Sequence, residues 1–547
     1  MKKMSTWRTP PAPIPPEQIE TIERADVVIV GLGFAGTAAL RAVAEKGGSV
    51  IGIEEMPEKS YNAWGRHIGH INSKFLESRG VPKVDIIEYF NEWMRRAGNR
   101  ANPGLIMKFI KNCGDAFDWY TDMIEDKSYI NVAFWLGGKK IDGELSGYKF
   151  WPGTAEFETG PAPMFRKNAP PSVILGQDRF PESEGKNMRL TQINRANHRK
   201  AEALGARTRF GIEAMQLVKE GNRVSGVVGR DREGKYHLFL ADKGVILAAG
   251  DFGGNREMVM DLVHDIADLY GDEKFFTMGR KGRGIQMGVW AGGRLEAGTI
   301  PVMGGNFFVH RGLSVTFGVL WLDPDGKRYC NEMFGDPVMT GMPGNQMKRG
   351  TYYNIFDHRL YEDVQWAVPA HEGFDETQYY DAQGYFRECM EAALKAGKGG
   401  TEVWGMFGPI RIAGGNSMEE LLDNAELEGQ VRTNVQKSIE RYNEICRLGR
   451  DEDFGKDSKL LRELEWPMFI QFCKAQSVML CTVGGLLTDE NQNVLDKNFE
   501  PIPGLFATGN CCGRRFGTQY STPTSGVSIG IAITLGREAG YAALGEN

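Results

Sequence analysis

The hydrophobic pattern of the chain switches repeatedly between two periods. Short runs rich in apolar and β-branched residues, bounded by glycine or charged residues, predict strands at residues 27–30, 49–53, 206–210, 213–219, 223–230, 236–241, 244–250 and 504–510. Longer segments with apolar positions every three or four residues predict helices at residues 37–46, 85–97, 105–123, 190–204, 379–396, 430–448 and 526–540. Strands and helices that alternate in this way are typical of an α/β fold.

The first strand–helix–strand unit carries a glycine pattern that is typical of dinucleotide binding. The apolar run 27–30 leads directly into G-x-G-x-x-G at Gly31, Gly33 and Gly36, and the next strand ends on Glu54. The first glycine permits a tight turn, the second lets a pyrophosphate approach the backbone, and the third lets helix and strand pack closely. The start of the helix favours phosphate, and an acid at the end of the second strand suits a ribose hydroxyl. This unit therefore predicts a bound dinucleotide.

The composition is that of a globular protein and argues against nucleic-acid and membrane partners. The chain has 547 residues, 41% hydrophobic and 25% charged, which is ordinary for a globular protein of more than one domain. A net charge of −6 argues against a protein that tracks nucleic-acid phosphates. Residues 1–20 are proline-rich without a signal-peptide core, and no apolar run approaches the ~20 residues needed to span a bilayer. We therefore expect a cytoplasmic protein without a membrane or nucleic-acid partner.

The eight cysteines and eight histidines show no metal-binding spacing. Neither C-x-x-C nor H-E-x-x-H occurs, so we predict no metal site. Cys511 and Cys512 are adjacent in sequence. Such a pair forms either a vicinal disulfide or two small buried residues beneath a turn, and we favour the second interpretation.

The periodicity also divides the chain. Residues 1–24 are predicted to form an N-terminal arm, and residues 25–300 and 460–547 a dinucleotide-binding domain. Between them, residues 301–459 show weaker α/β periodicity and two longer helices, which indicates an inserted second domain.

Further motifs follow in the order found in one flavoprotein family. They are residues 245–254 (VILAAGDFGG), 282–284 (GRG, where the family has G-D-G), 326–332 (GKRYCNE), 451–455 (DEDFG), 482–486 (TVGGL), 503–510 (PGLFATGN) and 526–537 (GVSIGIAITLGR). With the first glycine motif, they make residues 25–547 resemble the family of fumarate reductase, succinate dehydrogenase and 3-ketosteroid dehydrogenase. The resemblance implies an α/β, Rossmann-like FAD-binding domain of the glutathione-reductase type, an inserted α+β cap domain, and non-covalent FAD.

The resemblance also assigns the cofactor site. The last helix is expected to point its N-terminus at the flavin pyrimidine, Asn510 is expected near the ribityl chain, and the loop 68–73 along the flavin N5 edge. Oriented N–H groups at that helix start would stabilise the negative charge of reduced flavin. The expected FAD-binding residues are Gly31, Gly33, Phe34, Ala35, Gly36, Glu54, Glu55, Gly69, Asn72, Ser73, Ala214, Ala249, Gly250, Gly485, Gly509, Asn510, Gly526, Val527, Ser528 and Ile529.

The chain departs from fumarate reductase at three charged or polar positions. The proton-donor arginine that follows N-E in those relatives is missing after Glu332, and Leu480-Cys481 stands where they have a histidine. The motif N-R-x-G-G-N does not occur in the stretch 515–526, so the arginine of that motif is also missing. Because fixed cations suit carboxylates, their joint loss argues against a dicarboxylate substrate.

The stretch 515–526 instead resembles the 3-ketosteroid dehydrogenase pattern, in which a tyrosine precedes a glycine turn beside the flavin. Tyr520 fills that place, and its hydroxyl with a backbone N–H from Ser525 or Gly526 would hold a ketone oxygen as an oxyanion hole does. The alternative is that Tyr520 only packs beneath the turn. Arg515 could pair with a substrate carboxylate or cap a helix.

A proton donor is sought in two other places. Tyr352 and Tyr353 lie in the cap where a donor would be needed, and Tyr353 is taken as the candidate. His67 and His70 lie on the loop near N5, where a hydrogen-bonded loop histidine is the more common role.

Together these features predict an FAD-dependent oxidoreductase that acts on a CH–CH bond next to a carbonyl, with either direction open. Apolar cap residues that suit a hydrophobic, steroid-like or aromatic enone are Met303, Phe307, Phe308, Phe317, Trp321, Met339, Met342 and Met347, although ordinary core packing explains most of them. A reductase of an unsaturated carboxylate anchored by Arg515 is the alternative, and a flavin-binding electron carrier is another. The electron donor stays open between a flavin, an NAD(P)H system and a redox protein.

Overall fold

The computed structural model describes residues 6–63, 65, 67–133, 143–145, 148–157, 188–264, 276–303, 319–332, 351–360, 382–405, 408–474 and 478–546. The strands are β1 (Ile19–Val30), β2 (Val50–Glu54), β3 (His67–Gly69), β4 (Asn131–Ala133), β5 (Gly143–Leu145), β6 (Tyr148–Phe150), β7 (Thr154–Glu156), β8 (Arg207–Phe210), β9 (Glu213–Glu220), β10 (Arg223–Arg230), β11 (Tyr236–Leu247), β12 (Phe276–Thr277), β13 (Val302–Met303), β14 (Leu320–Leu322), β15 (Thr351–Asp357), β16 (Thr401–Gly405), β17 (Gly408–Gly415), β18 (Met468–Lys474), β19 (Val478–Met479), β20 (Cys481–Thr482), β21 (Asn493–Leu495) and β22 (Pro501–Ala507). The α-helices are α1 (Phe34–Glu45), α2 (Lys74–Ser78), α3 (Ile86–Arg96), α4 (Pro103–Tyr120), α5 (Leu190–Ala203), α6 (Arg256–Leu262), α7 (Arg283–Trp290), α8 (Ala382–Ala396), α9 (Met418–Asn424), α10 (Gly429–Leu448) and α11 (Val527–Leu544).

The largest sheet has the strand order of a dinucleotide-binding domain. Its path runs β21-β22-β11-β1-β2-β8, and every neighbouring pair from β22 to β8 is parallel. The first strand therefore lies in the centre, with the later strands added on either side, which is the Rossmann arrangement. Strands β9 and β10 attach to β11 as an antiparallel ribbon. The predicted α/β fold is confirmed.

The N-terminal segment is more ordered than the predicted arm of residues 1–24. Strand β1 begins at Ile19 and pairs with β11 from Ile19 opposite Tyr236 to Val30 opposite Leu247. Because this pairing spans both predicted strands 236–241 and 244–250, they form one strand. Trp7 is buried, donates from Nε1 to Asp261 at 3.1 Å, and accepts at its carbonyl from Trp290. The part of the arm from Thr6 onward is thus anchored to the FAD-binding domain.

Helices α1 and α11 pack tightly because small residues line their contact. A Cβ built on Gly536 would lie 2.3 Å from the carbonyl oxygen of Ala35, and one on Gly540 would lie 2.9 Å from that of Ala39. Only glycine permits this approach at Gly536, so the middle of the last helix packs against the start of α1, directly after the first glycine turn, while its N-terminal Gly526 and Gly530 pack against Gly69.

The cap contains a five-stranded antiparallel sheet, ordered β14-β15-β18-β17-β16. Residues of α8 pack on one face, and residues of α9 and α10 pack on the other. Strand β18 lies beyond the predicted cap boundary at residue 459, so the cap sheet takes a strand from the segment assigned to the FAD-binding domain. Sequence periodicity missed this because β18 pairs with strands far from it along the chain.

Two cap motifs meet in a buried ion-pair network. Arg328 of GKRYCNE donates to Glu332 at 2.9 Å and to Asp451 of DEDFG at 2.8 Å, and Lys456 Nζ lies 3.3 Å from Glu332. Burial alone would raise the pKa of Glu332, but the charges of Lys456 and Arg328 hold it below its ordinary value. The two motifs therefore join the ends of the cap.

Within the described ranges, no helix is both long and apolar enough to cross a bilayer.

Candidate active site

The three glycines of the first turn have different surroundings. Gly31 has φ +93°, and a Cβ there would lie 2.6 Å from the carbonyl oxygen of Ala248. A Cβ on Gly36 would lie 1.8 Å from the carbonyl oxygen of Gly31, whereas a Cβ on Gly33 would meet no described atom within 4 Å. Gly31 and Gly36 are therefore required by the fold, and Gly33 leaves open space beside the N-terminus of α1. That open space fits the pyrophosphate of a dinucleotide.

The peptide groups of Leu32 are held by buried side chains. Glu54 Oε2 accepts from the Leu32 N–H at 2.9 Å. The Leu32 carbonyl accepts from Thr37 Oγ1 at 2.7 Å, from the Tyr61 hydroxyl at 2.5 Å and from Asn194 Nδ2 at 3.1 Å. These contacts fix the turn before any ligand binds.

The carboxylate of Glu54 can accept more hydrogen bonds than the two that the structure describes. Its Oε1 accepts from the Met56 N–H at 3.0 Å, so each oxygen of this buried carboxylate holds one backbone donor. A carboxylate oxygen accepts two hydrogen bonds, which leaves room for a ribose hydroxyl. That contact stays a prediction. Thr37, Tyr61 and Asn194 were not singled out in the sequence, because their roles depend on segments distant along the chain.

The loop after β3 packs on the start of α11. The Gly69 N–H donates to the Gly526 carbonyl at 2.9 Å, and a Cβ on Gly69 would lie 2.2 Å from the Ser525 carbonyl oxygen. Asn72 exchanges hydrogen bonds with the backbone of Val84, and Ser73 caps α2. Gly69 therefore joins the two segments expected beside the flavin, whereas the side chains of Asn72 and Ser73 fix the loop.

His70 is a structural histidine. Its ring stacks on Phe117 at 3.9 Å, Nε2 bonds Ser73 Oγ at 2.8 Å, and Nδ1 lies 3.1 Å from the Ile68 carbonyl. Burial lowers the pKa of His70 to about 3, so the ring is neutral at physiological pH. His67 pairs with Glu156 at 3.3 Å. The hydrogen-bonded interpretation of His70 is thus supported over a proton-donor role.

The strand-end loops expected to line the cofactor meet around Glu296. Its Oε1 accepts from the Gly485 N–H at 2.9 Å, and its Oε2 accepts from the Arg514 N–H at 3.0 Å. Burial raises the pKa of Glu296 to about 7 despite these donors. Glu296 therefore ties the TVGGL loop to the segment after Asn510, a role that its sequence context did not indicate.

The remaining expected cofactor residues lie on the same edge of the sheet. Strands β1, β11 and β22 are parallel neighbours, and the segments that contain Ala249, Gly250 and Gly509 follow their carboxyl ends. Ala214 is buried in β9, and Glu55 is exposed and pairs with Lys281 at 3.3 Å. Ligands of open α/β sheets bind at this edge.

Tyr520 lies at the start of α11. Its side chain is fully buried, its ring packs edge-on against Phe516 at 4.9 Å, and its hydroxyl accepts from the Ser528 N–H at 3.2 Å. Leu480 and Cys481, which replace the histidine position of fumarate reductase, belong to the same apolar cluster. The hydroxyl thus lies at the helix N-terminus that is expected to face the flavin.

A charged pair on α3 holds the turn after Tyr520. Arg96 Nη1 donates to the Thr522 carbonyl at 2.9 Å, and Arg96 Nε donates to Glu92 at 2.7 Å. Both side chains are buried on the face that also carries Tyr89 and Trp93. The sequence could have indicated this contact. A glutamate and an arginine four residues apart on an apolar helix face are buried, and buried charged groups need hydrogen-bond partners.

Arg515 is buried among backbone carbonyls. Nε donates to Cys512 O at 2.9 Å, and Nη2 donates to Asn510 Oδ1 at 2.9 Å and to Val483 O at 3.1 Å. No acceptor in the described part of the chain bonds Nη1. Burial lowers the pKa of Arg515 from its ordinary value. The side chain therefore contacts the expected cofactor residue Asn510, and its Nη1 has donor capacity left for a ligand.

Tyr353 lies in the cap and not beside Tyr520 in the described contacts. It is half-buried, packs edge-on against Phe472 at 5.5 Å, and belongs to the cap face covered by α9 and α10. Tyr352 points to the opposite face and contacts Trp321. The role of Tyr353 stays a prediction. The apolar cap positions Phe307, Phe308, Phe317, Met339, Met342 and Met347 lie outside the described residues.

All eight cysteines are free thiols, and Cys511 and Cys512 are both buried. The adjacent pair thus corresponds to two small buried residues and not to a vicinal disulfide. Among the described residues, no group of three or more His, Cys, Asp or Glu side chains could hold a metal ion.

Comparisons with known proteins find relatives that match nearly the whole chain. The vinyl phenol reductase of Lactiplantibacillus plantarum is 24% identical over 540 residues, which cover 94% of this chain and 95% of that protein. The urocanate reductase of Eggerthella lenta is 25% identical over 98% of this chain and 77% of its own length. The solved structure of the 3-ketosteroid-Δ4-(5α)-dehydrogenase from Rhodococcus jostii, in complex with 4-androstene-3,17-dione, has a TM-score of 0.64 at 20% identity, over 96% of this chain and 97% of that chain.

The decisive match is to the family described as FAD binding domain, which spans residues 26–527. Among the described residues, the space beside Gly33, the turn fixed around Leu32 and the unfilled Nη1 of Arg515 fit such a cofactor. The chain belongs to this FAD-binding family, binds FAD and is an FAD-dependent oxidoreductase.

Proposed function

We propose that this enzyme transfers hydride to or from a carbon–carbon bond next to a carbonyl group in an apolar substrate. The observation that carries the proposal is the setting of Tyr520. Its hydroxyl lies at the N-terminus of α11, within a cluster of apolar side chains that includes Trp93, Phe109 and Leu480. An apolar setting with one aligned donor suits a ketone better than a dicarboxylate.

The relatives support the same bond type. Their names describe the reduction of vinyl phenols and of urocanate, and a structural neighbour is named for the dehydrogenation of a ketosteroid. The named reactions share a carbon–carbon bond attached to an unsaturated group, which is an aromatic ring in a vinyl phenol and a ketone in a ketosteroid. Since identity is 24–25% for the two reductases, we extend only this shared chemistry to the present chain.

Tyr520 is proposed to hold the carbonyl oxygen. Bound FAD supplies hydride exchange with the substrate carbon. The Tyr520 hydroxyl accepts from the Ser528 N–H, which polarises it and makes it a stronger donor toward an oxygen that gains negative charge. A backbone N–H from Ser525 or Gly526 is proposed as the second donor, and Tyr353 as the group that protonates the neighbouring carbon.

A reductase of an unsaturated carboxylate is the second candidate. The observation in its favour is the buried guanidinium of Arg515, whose Nη1 bonds no acceptor among the residues that the structure describes. A carboxylate at that nitrogen would neutralise a buried charge.

The test is anaerobic reoxidation of the chemically reduced enzyme by a panel of acceptors. The panel contains a cyclic enone, a 4-en-3-one steroid, a cinnamate-type acid and fumarate. Rapid reoxidation by enones alone supports the proposal, and rapid reoxidation by the acids alone supports the second candidate. Reoxidation by a redox protein but by no small acceptor would refute both and indicate an electron carrier.

A further inference from the structure

Arg515 is a fully buried cation with an unfilled hydrogen-bonding position. Its side chain is 1% exposed, and no described acceptor contacts Nη1. We propose that Arg515 donates from Nη1 to the reduced, anionic form of FAD, and so makes the bound cofactor easier to reduce.

The orientation of the guanidinium is fixed by the protein. A guanidinium has five N–H groups, and three of them are used by the carbonyls of Cys512 and Val483 and by Asn510 Oδ1. The two N–H groups of Nη1 therefore have a set direction before a ligand arrives. Asn510 is one of the expected FAD-binding residues, and Val483 precedes the glycine pair that contains another. The fixed donor thus lies beside two segments that are expected to bind the cofactor.

The charge of Arg515 lacks a close counter-ion among the described residues. Their ion pairs of 4.0 Å or less include no partner for it. Glu296 acts on it electrostatically, but the pKa of Glu296 is raised to about 7, so its charge is incomplete near neutral pH. The other titratable groups around it are Cys481, Cys511 and Cys512, whose thiol pKa values are raised by burial. An unpaired buried charge is costly, and an anion at Nη1 would remove that cost.

Reduction of the cofactor supplies such an anion. Two electrons and one proton convert oxidised FAD into its anionic reduced form, so the negative charge appears only after reduction. A cation that is already oriented favours that form over the neutral oxidised form. The inference rests on FAD binding and not on the proposed substrate, so either can fail while the other stands.

The test measures the cofactor in the holoenzyme. Arg515→Gln keeps a donor but removes the charge, and its two-electron midpoint potential is measured by equilibration with a reference dye. We expect at least a tenfold shift of the equilibrium toward oxidised FAD, which is about 30 mV for a two-electron couple. Sulfite, which forms an anionic flavin adduct, should bind at least tenfold more weakly. The matched control is Arg514→Gln, which removes the neighbouring charge but keeps the described hydrogen bond from the Arg514 backbone N–H to Glu296, and it should leave both values unchanged.

Two results would overturn the inference. The first is an unchanged potential and sulfite affinity in Arg515→Gln, and a raised KM for carboxylates alone would then assign Arg515 to the substrate. The second result comes from the wild-type enzyme and decides the question if Arg515→Gln loses FAD. The midpoint potential of the wild-type enzyme is then measured between about pH 5 and 6. One proton per two electrons, about 30 mV per pH unit, is expected. Two protons per two electrons would show that the anionic form is not stabilised.

Discussion

Replacing Tyr520 with phenylalanine removes one oxygen atom and keeps the ring that packs against Phe516. The hydroxyl is within hydrogen-bond distance of a helix N-terminal N–H, 3.2 Å away at Ser528, and it is the proposed donor to the substrate oxygen. Losing one oxyanion donor typically costs about 2.7–4 kcal/mol, which is about 100- to 1000-fold in turnover. We therefore expect the hydride-transfer rate to fall by that factor, with FAD content unchanged.

The same substitution has a predictable effect on stability. It leaves the Ser528 N–H without the Tyr520 oxygen in a buried place, which costs about 1–3 kcal/mol. Tyr442→Phe is a matched control, because the Tyr442 hydroxyl is equally buried and accepts from Lys456 Nζ at 3.1 Å, but lies in the cap core. Both variants should lose similar stability in denaturant titrations, and only Tyr520→Phe should lose hydride transfer.

The assay is anaerobic stopped flow. The reduced enzyme is mixed with its best acceptor, and flavin absorbance reports hydride transfer in one turnover. If Tyr520→Phe holds FAD and transfers hydride at the wild-type rate, Tyr520 only packs beneath its turn, and the oxyanion role is refuted.

Three further predictions concern the cofactor and the cap. Gly33→Ala should weaken FAD binding at least tenfold without loss of apoprotein stability, because its Cβ would meet no described atom. Gly36→Ala should destabilise the apoprotein by about 1–3 kcal/mol, because its Cβ would meet the Gly31 carbonyl oxygen. Isothermal titration measures the first effect, and denaturant melts measure the second. Acid precipitation should release FAD into the supernatant, and a protein-bound yellow pellet would show a covalent link. Glu332→Gln should cost about 3–5 kcal/mol because it leaves Lys456 buried beside a neutral group, while Arg328 keeps its ion pair with Asp451. The exposed Glu444→Gln should change stability by less than about 0.5 kcal/mol. The pKa of Glu332 is lowered in the fold, so its contribution to the free energy of unfolding is present at neutral pH and is lost as the pH falls below the ordinary pKa of a glutamate. Wild-type melts that show no such loss of stability would contradict the role of the network.

Local sequence patterns predicted the glycine turn and the last helix, which are expected to hold the cofactor. The glycine turn and the last helix depend on residues close together in sequence, so their periodicity and glycine spacing were sufficient. Helix α3, for example, spans Ile86–Arg96 within the predicted range 85–97, with Asp85 as its N-cap. The family motifs added the order of the later segments.

The contacts between distant segments could not be predicted in this way. Glu296 joins the loop at Gly485 to the loop at Arg514, and both lie far from Glu296 along the chain. Neither loop has a local feature that requires a carboxylate. Strand β18 lies in the cap sheet because its partners β15 and β17 are there. Arg96 was the exception, since a cation on the apolar face of α3 already indicated a buried partner.

The most direct test of the proposed function compares two acceptors that differ in charge. An aryl enone and the acid of the same carbon skeleton are each mixed with the reduced enzyme, and each rate is divided by its rate with free reduced flavin. The apolar setting of Tyr520 predicts that the corrected rate is at least tenfold higher for the ketone. A corrected rate that is higher for the carboxylate would contradict the account and assign the substrate to Arg515.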